Sequence, residues 1–321
     1  MRDQGGEPLA RLSAIVPATD RPATLQECLR ALAQAREAPD EVIAVTEPPG
    51  AGPAEARNRG ARRVAGELLL FVDADVIVHG DAVSRLRAAF EADPDLAAVF
   101  GSYDDSPRDT GTVSGFRNLL HHHVHQSSPG PATTFWAGLG AIRRDAFEAV
   151  GGFDQLRYPD SSIEDIELGM RLAQSGRRCL LDPSIQGTHL KGWTLGSMVR
   201  TDFARRGVPW VRLLLRGGGD VSRGREALNL GHRHRASALA VLTAAGAIAA
   251  RRPAMALGAV GTLVALNADF YALLQRRRGS VEAGAGVGLH AVHHLVGAAA
   301  LPAGVVAHLR DAHRATGARS R

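Results

Sequence analysis

Between residues 12 and 73, apolar runs of strand length alternate with segments of helical period, and this alternation restricts the chain to an α/β sheet fold. Residues 12–17 (LSAIVP), 41–45 (EVIAV) and 67–73 (ELLLFVD) read as buried strands. Residues 23–36 repeat Leu25, Cys28, Leu29 and Leu32 at helical spacing, and 54–65 is also helical. Strand, helix, strand, helix, strand predicts a parallel sheet with helices on both faces. Further along, the pattern predicts a helix at 81–92, a strand at 96–101, an irregular stretch at 102–135 and a Gly-rich, short apolar and then helical piece at 136–153. A helix at 163–175 opens after Ser161 or Ser162 with acids in its first turn, and 178–182 suits a short strand.

Length and charge set the organisation around that core. With 321 residues, 45 % of them hydrophobic, there is material for one large domain and an appendage. Cys28 and Cys179, the two cysteines, form no metal or disulfide framework by spacing, which fits a reducing compartment. Met1 to Gly6 is polar and has no apolar signal core, so the front of the chain is expected in the cytoplasm. Residues 1–199 hold 20 Arg/Lys against 27 Asp/Glu, whereas 200–321 hold 18 against 6. The basic rear interleaves arginines with long apolar runs and not with exposed aromatics, which points to anionic lipid and away from nucleic acid.

The chemistry is expected at Asp73-Ala74-Asp75, which ends the third strand. Ligands of open α/β sheets bind beyond the carboxyl ends of strands. Two carboxylates one residue apart can divide the work there, one meeting a ribose and the other holding a divalent cation that neutralises a diphosphate.

The wider context resembles the family 2 glycosyltransferases over about residues 11–193. The resemblance rests on Ile15-Val16-Pro17-Ala18-Thr19-Asp20-Arg21-Pro22, on Ala56-Arg57-Asn58-Arg59-Gly60, on Phe71-Val72-Asp73-Ala74-Asp75, on Gly138-Leu139-Gly140-Ala141-Ile142-Arg143-Arg144 with Gly151-Gly152-Phe153-Asp154, and on Glu164-Asp165 with Glu167-Leu168 and Arg171-Leu172. It implies a GT-A (Rossmann-like) domain and a sugar moved, with inversion, from a nucleotide-diphosphate donor to a hydroxyl. Pro17 and Thr19 would line the nucleotide pocket, and Arg57 and Asn58 would contact base or diphosphate. Asp73 would sit near the ribose, and Asp75 would hold Mg²⁺ or Mn²⁺. Asp165 would be the general base, with Glu164 beside it. Gly138 lies in the acceptor-side segment.

Other residues stand nearer the margin. His189 is a second metal candidate, since imidazole with carboxylates suits Mn²⁺. Trp136 and Trp193 are candidates to stack on an acceptor sugar. Lys191-Gly192-Trp193 faintly resembles the Gln-x-x-Arg-Trp element of processive members, without the Gln and Arg, which argues against a processive polymerase. Where the family commonly carries Asp-Asp-Gly-Ser, this chain has Thr46-Glu47-Pro48-Pro49, leaving Glu47 as the carboxylate for the nucleobase. His121, His122, His123 and His125 include an i, i+4 pair but have no neighbouring acid or Cys. They read as a polar loop or an interfacial helix on the acceptor side.

The rear divides into a basic connector at 201–235, hydrophobic helices at 236–310 and a basic tail at 311–321, behind a catalytic domain at 1–200. Residues 236–250 are short for a membrane span, while 254–274 and 281–309 are long enough, so two or three embedded helices are expected. Arginines flank both ends of 254–274, so one segment is a candidate for a re-entrant or interfacial piece. Leu266-Asn267-Ala268-Asp269-Phe270-Tyr271 and Leu289-His290-Ala291-Val292-His293-His294-Leu295 resemble the membrane tail of some bacterial family members. That implies a lipid-linked or membrane-proximal acceptor at the cell membrane, with Arg205, Arg206, Arg212 and Arg216 near lipid phosphates. Two other functions fit the same fold: a catalytically inactive membrane scaffold, and a GT-A-like nucleotidyltransferase, although the loop Ala18–Pro22 lacks the glycines the latter uses.

Overall fold

β1 (Leu12–Pro17) forms the middle of a sheet because its first five side chains are all buried, leaving no face for water. In the computed structural model, which describes residues 10–216 and 231–319 and side chains as far as 313, it pairs in parallel with β2 (Glu41–Val45) and β3 (Leu68–Val72). Met1–Gly6, the middle of the 201–235 connector and the end of the basic tail lie outside the described residues. α1 (Leu25–Gln34) and α2 (Pro53–Arg63) make the crossovers, α2 opening on Pro53, whose missing N–H costs a first turn nothing. β4 (Val76–Val78), α3 (Ala82–Ala92) and β5 (Leu96–Tyr103) follow.

Two compact units emerge. The first comprises residues 1–101, 135–160 and 164–187, and the second 102–134, 161–163 and 188–321. In the first, the strand order is β2-β1-β3-β7-β5-β8-β4, with β7 at Leu139–Arg143 and β8 at Arg178–His189. β7 runs antiparallel to both β3 and β5, so the sheet is mixed and not parallel throughout as expected. A short strand buried on both faces carries the same apolar pattern in either direction, so periodicity did not reveal the reversal. α5 (Arg144–Ala149) and α6 (Glu164–Gln174) complete this unit. Beneath its site, Phe71, Phe147 and Phe153 form a triangle with centroids 5.2–5.6 Å apart. Each such pair adds about 0.5–1.5 kcal/mol beyond its buried area.

In the second unit, the stretch read as irregular contains α4 (Thr112–Gln126), a four-turn helix, and β6 (Gly130–Ala132). Four histidines, poor helix formers, hid α4 from propensity. Packing supplies what propensity lacks: Phe116 and Leu119 are buried with Met198, Phe270 and Leu274. β8 continues through Pro183 to His189, where a proline had made the strand read short. After it come α7 (Leu195–Arg200), a π-helical turn (Thr201–Gly207) and α8 (Val208–Arg216).

α9 (His232–Ala249), α10 (Pro253–Leu266), α11 (Ala268–Arg278) and α12 (Ser280–Arg319) form the rear. The 254–274 run is not one helix: α10 and α11 bend by 76° at Asn267. The Asn267 amide donates to the Leu263 carbonyl and to Ser237 Oγ, substituting for ladder bonds at the break. Among the described residues, one helix, Ser280–His313, is long and apolar enough by composition to cross a membrane, and the bent α10–α11 pair passes only if taken together. Arg212 and Arg216 both pair with Asp311, and Arg205 donates to the Ser161 carbonyl, so these arginines are engaged within their own unit.

Candidate active site

Arg57 is the hub of the front unit's polar centre. α2 buries it to 4 % exposure. Its Nη2 donates to Asp73 Oδ1 at 2.7 Å and its Nη1 to Glu164 Oε1 at 2.9 Å. Its guanidinium lies 5.4 Å from the Phe153 ring. One guanidinium thus joins the end of β3 to the start of α6. Burial by itself would discharge Arg57, but the Asp73 and Glu164 carboxylates hold it charged, above its usual range.

Asp73 is fixed on three sides. Its N–H donates to the Gly138 carbonyl at 3.1 Å, and its own carbonyl receives the Cys28 thiol at 3.6 Å. Burial pushes its carboxyl up, Arg57 opposes this, and the neighbouring Asp75 charge adds to the rise. Burial, with the Asp73 and Asp75 charges, likewise pushes the Cys28 thiol up to about 12. Asp75, half-buried in the turn after β3, therefore belongs to a place where negative charge gathers.

Asp165 stands at the start of α6, where an N-terminal dipole favours an anion. Its Oδ2 accepts from the Ala137 N–H at 3.1 Å and its Oδ1 from the Ile166 N–H at 2.8 Å. Burial and the adjacent Glu164 charge nevertheless raise it to about 6, against Arg57. Glu164 is 3 % exposed and engaged by Arg57. The two neighbouring acids thus differ: one is locked into an ion pair, the other is half-buried with an elevated proton affinity.

The remaining candidates divide between the units. Asn58, expected to reach the nucleotide, spends its amide on the loop after α5. Its Nδ2 donates to the Phe153 carbonyl and to Gln155 Oε1, and its Oδ1 accepts from the Phe153 N–H. Gly138 has no room for a side chain, since a Cβ there would lie 2.4 Å from the ring of half-buried Trp136. Thr19 donates to the Ala51 carbonyl, and its own carbonyl accepts from Gly50, so the loop after β1 is tied to the loop after β2. Pro17 ends β1 opposite Val45. Glu47 pairs with Arg21 at 3.1 Å on the surface.

His189 and Trp193 belong to the second unit. His189 is buried with its ring stacked 4.1 Å from Tyr103. Trp193 lies under two cations, Lys191 at 4.6 Å and Arg117 at 5.2 Å from its ring centre. The His121–His125 pair sits on α4, with ring centres 4.0 Å apart. Among the described residues no group of three or more His, Cys, Asp or Glu side chains is arranged to hold a metal.

Sequence reasoning missed three contributors: the Ala137 N–H that orients Asp165, the Cys28 thiol under Asp73, and Gly52, where a Cβ would lie 1.9 Å from the Pro159 carbonyl oxygen. Cys28 left a trace as an apolar helix position. The other two depend on backbone approach, which side-chain patterns do not encode.

Comparison with known proteins agrees with the recognition made from the sequence. Residues 45–151 match the model of glycosyl transferase family 2. The pre-mycofactocin glycosyltransferase of Mycobacterium tuberculosis is 28 % identical over 148 residues, 42 % of this chain and 29 % of that protein. The O-antigen biosynthesis protein RfbC of Myxococcus xanthus is 28 % identical over 138 residues, 38 % of this chain and 11 % of that protein. The chain therefore spans less than a third of the length of these curated relatives. The mannosyltransferase PcManGT from Pyrobaculum calidifontis, solved with GDP-Man and Mn²⁺, superposes with a TM-score of 0.51 at 19 % identity, covering 95 % of this chain and 88 % of that one. That likeness is one of fold, and the fold is GT-A.

Proposed function

We propose that this chain works as a family 2 glycosyltransferase, moving a sugar with inversion from a nucleoside-diphosphate donor to a hydroxyl of a lipid-linked or membrane-proximal acceptor. The observation that carries this reading is Arg57, which holds the Asp73 carboxylate and the Glu164 carboxylate on one guanidinium and so unites the two acid motifs. The names of the curated relatives, a glycosyltransferase and an O-antigen biosynthesis protein, support sugar transfer.

Asp165 is the base. With its proton affinity raised to about 6, it is ionised at neutral pH yet able to accept a proton. The acceptor hydroxyl gives its proton to Asp165. Its oxygen bonds to the anomeric carbon as that carbon's bond to the donor diphosphate breaks. The nucleoside diphosphate leaves with the electron pair. Glu164, Arg57 and Asn58 are positioning residues: the first two carry Asp73 and α6, the third the loop at 153–155. Trp136, braced over Gly138, offers a ring for the acceptor sugar. Pro17, Thr19 and Glu47 remain candidates for the nucleotide.

A divalent cation fits Asp75. Carboxylate oxygen is the donor Mg²⁺ and Mn²⁺ prefer, and a cation there would offset the carboxylate charge that adds to burial in raising Asp73 and Cys28. PcManGT was solved with Mn²⁺, which supports the same view. When bound, the cation would neutralise the leaving diphosphate.

The acceptor's place at a membrane rests on the apolar helix Ser280–His313, whose apolar 18-residue stretch is 22 % buried, and on exposed Leu239, Leu242, Ile248, Leu257 and Leu301 on the rear helices. The arginines beside the apolar runs, Arg233, Arg235, Arg251, Arg252, Arg276, Arg277 and Arg278, support a cytoplasmic side for the catalytic unit.

The test is nucleoside diphosphate release by the purified full chain. Asp165→Asn is expected to reduce it by at least a thousandfold while leaving donor binding intact. Undiminished release in Asp165→Asn would remove Asp165 from the base role.

A further inference from the structure

The rear unit contains a cavity that the sugar-transfer reading does not use. It has a volume of about 250 Å³ and is lined by α4, α9, α11 and α12 with the turn after α4. Its polar lining comprises Arg233, Asn267, Ser127, Ser128 and five imidazoles, those of His123, His234, His290, His293 and His294. No carboxylate is among its lining residues.

The imidazoles are prepared in two ways. His290 Nδ1 is held by the Tyr271 hydroxyl at 2.9 Å, and His293 Nδ1 by Asp202 Oδ2 at 2.8 Å. Each anchor fixes a ring and leaves its Nε2 for a ligand. His294 is 3 % exposed, and among the described residues neither of its ring nitrogens has a partner. A buried polar ring left unpaired is destabilising, and a bound ligand would relieve that cost. Placing His290, His293 and His294 together on the apolar helix α12 is a further cost, of the kind that marks a functional position.

The lining decides the sign of the guest. A metal would need several ring nitrogens to converge, and no such group of three is formed among the described residues. Arg233, exposed and with no ion pair among the described residues, lines the same space and would repel a cation. A guanidinium, imidazole N–H groups, an amide and two hydroxyls suit a phosphate. The volume lies below the roughly 300–1,000 Å³ of sites for drug-sized ligands, which suits one phosphate or diphosphate group.

We infer that this cavity is an anion site for a phosphate or diphosphate group, gripped by Arg233 and the His234, His290, His293 and His294 rings. The inference does not rest on the sugar-transfer reading, because binding is measured without donor sugar or metal.

Two probes distinguish the source. Inorganic diphosphate is titrated calorimetrically into the full chain in detergent, and flotation compares vesicles of phosphatidylcholine with vesicles containing phosphatidic acid. A free-phosphate site is expected to bind diphosphate, at least tenfold more weakly in Arg233→Gln and His294→Gln. A lipid-headgroup site is expected to prefer the phosphatidic acid vesicles, with that preference lost in Arg233→Gln and kept in Arg252→Gln, a basic position outside the lining. Arg233 is exposed, so its variant should fold, and a thermal melt checks both. The inference is overturned if neither probe binds selectively, if both cavity variants bind as the parent does, or if the cluster takes up stoichiometric zinc and no phosphate.

Discussion

Arg57 Nη1 lies 2.9 Å from Glu164 Oε1, a contact that closes 107 residues of chain and is nearly shut off from water at both ends. Removing one partner of such a pair leaves a buried charge and costs about 3–5 kcal/mol. Arg57→Met is therefore expected to lower the unfolding free energy by about that amount in urea titration. Arg57→Lys keeps the charge but cannot span two carboxylates, and nucleoside diphosphate release should fall at least tenfold. Wild-type stability in Arg57→Met would show that the two acid motifs are held by something else.

The pH profile follows from Asp165. The base must be ionised, and its raised value of about 6 places the transition there. Activity is expected to level off above pH 7 and to fall as pH drops through about 6, approaching tenfold per unit below it. Because the Glu164 charge contributes to the rise, Glu164→Gln should move the midpoint to lower pH in kcat/KM profiles of whatever activity survives. A midpoint that stays in place would assign the titration to another group.

Gly52 caps α2 against the loop ahead of α6. A Cβ there would meet the Pro159 carbonyl oxygen at 1.9 Å, and backbone cannot step aside as a side chain can. Gly52→Ala should cost about 1–3 kcal/mol through forced displacement. Asn58→Ala, which strips three hydrogen bonds from the Phe153–Gln155 loop, should cost a similar amount. Thermal melts of the two variants check both values, and a melt unchanged by Asn58→Ala would free that residue for the nucleotide.

Much of the front unit was legible in the chain. β1, β2 and β3 announce themselves as apolar runs, and the acids at 73, 75, 164 and 165 stand out at element ends. What stayed hidden has common causes. The direction of β7 leaves no mark on a strand buried on both faces. α4 is specified by what Phe116 and Leu119 pack against, and not by the four histidines that dominate its composition. The break at Asn267 depends on Ser237, thirty residues earlier, accepting its amide. Arg57 stands out in the sequence as a candidate, but its two carboxylate partners, Asp73 and Glu164, are set by tertiary approach, so its place as a hub is visible only in three dimensions.

The most direct test of the account is nucleoside diphosphate release from UDP-, GDP- and dTDP-sugars by membranes carrying the chain, with Mn²⁺ and then with chelator. The account predicts release from one donor class, lost with chelator and lost in both Asp75→Ala and Asp165→Asn. Release that survives chelation and both substitutions, or no release from any donor with a bacterial lipid extract present, would contradict it.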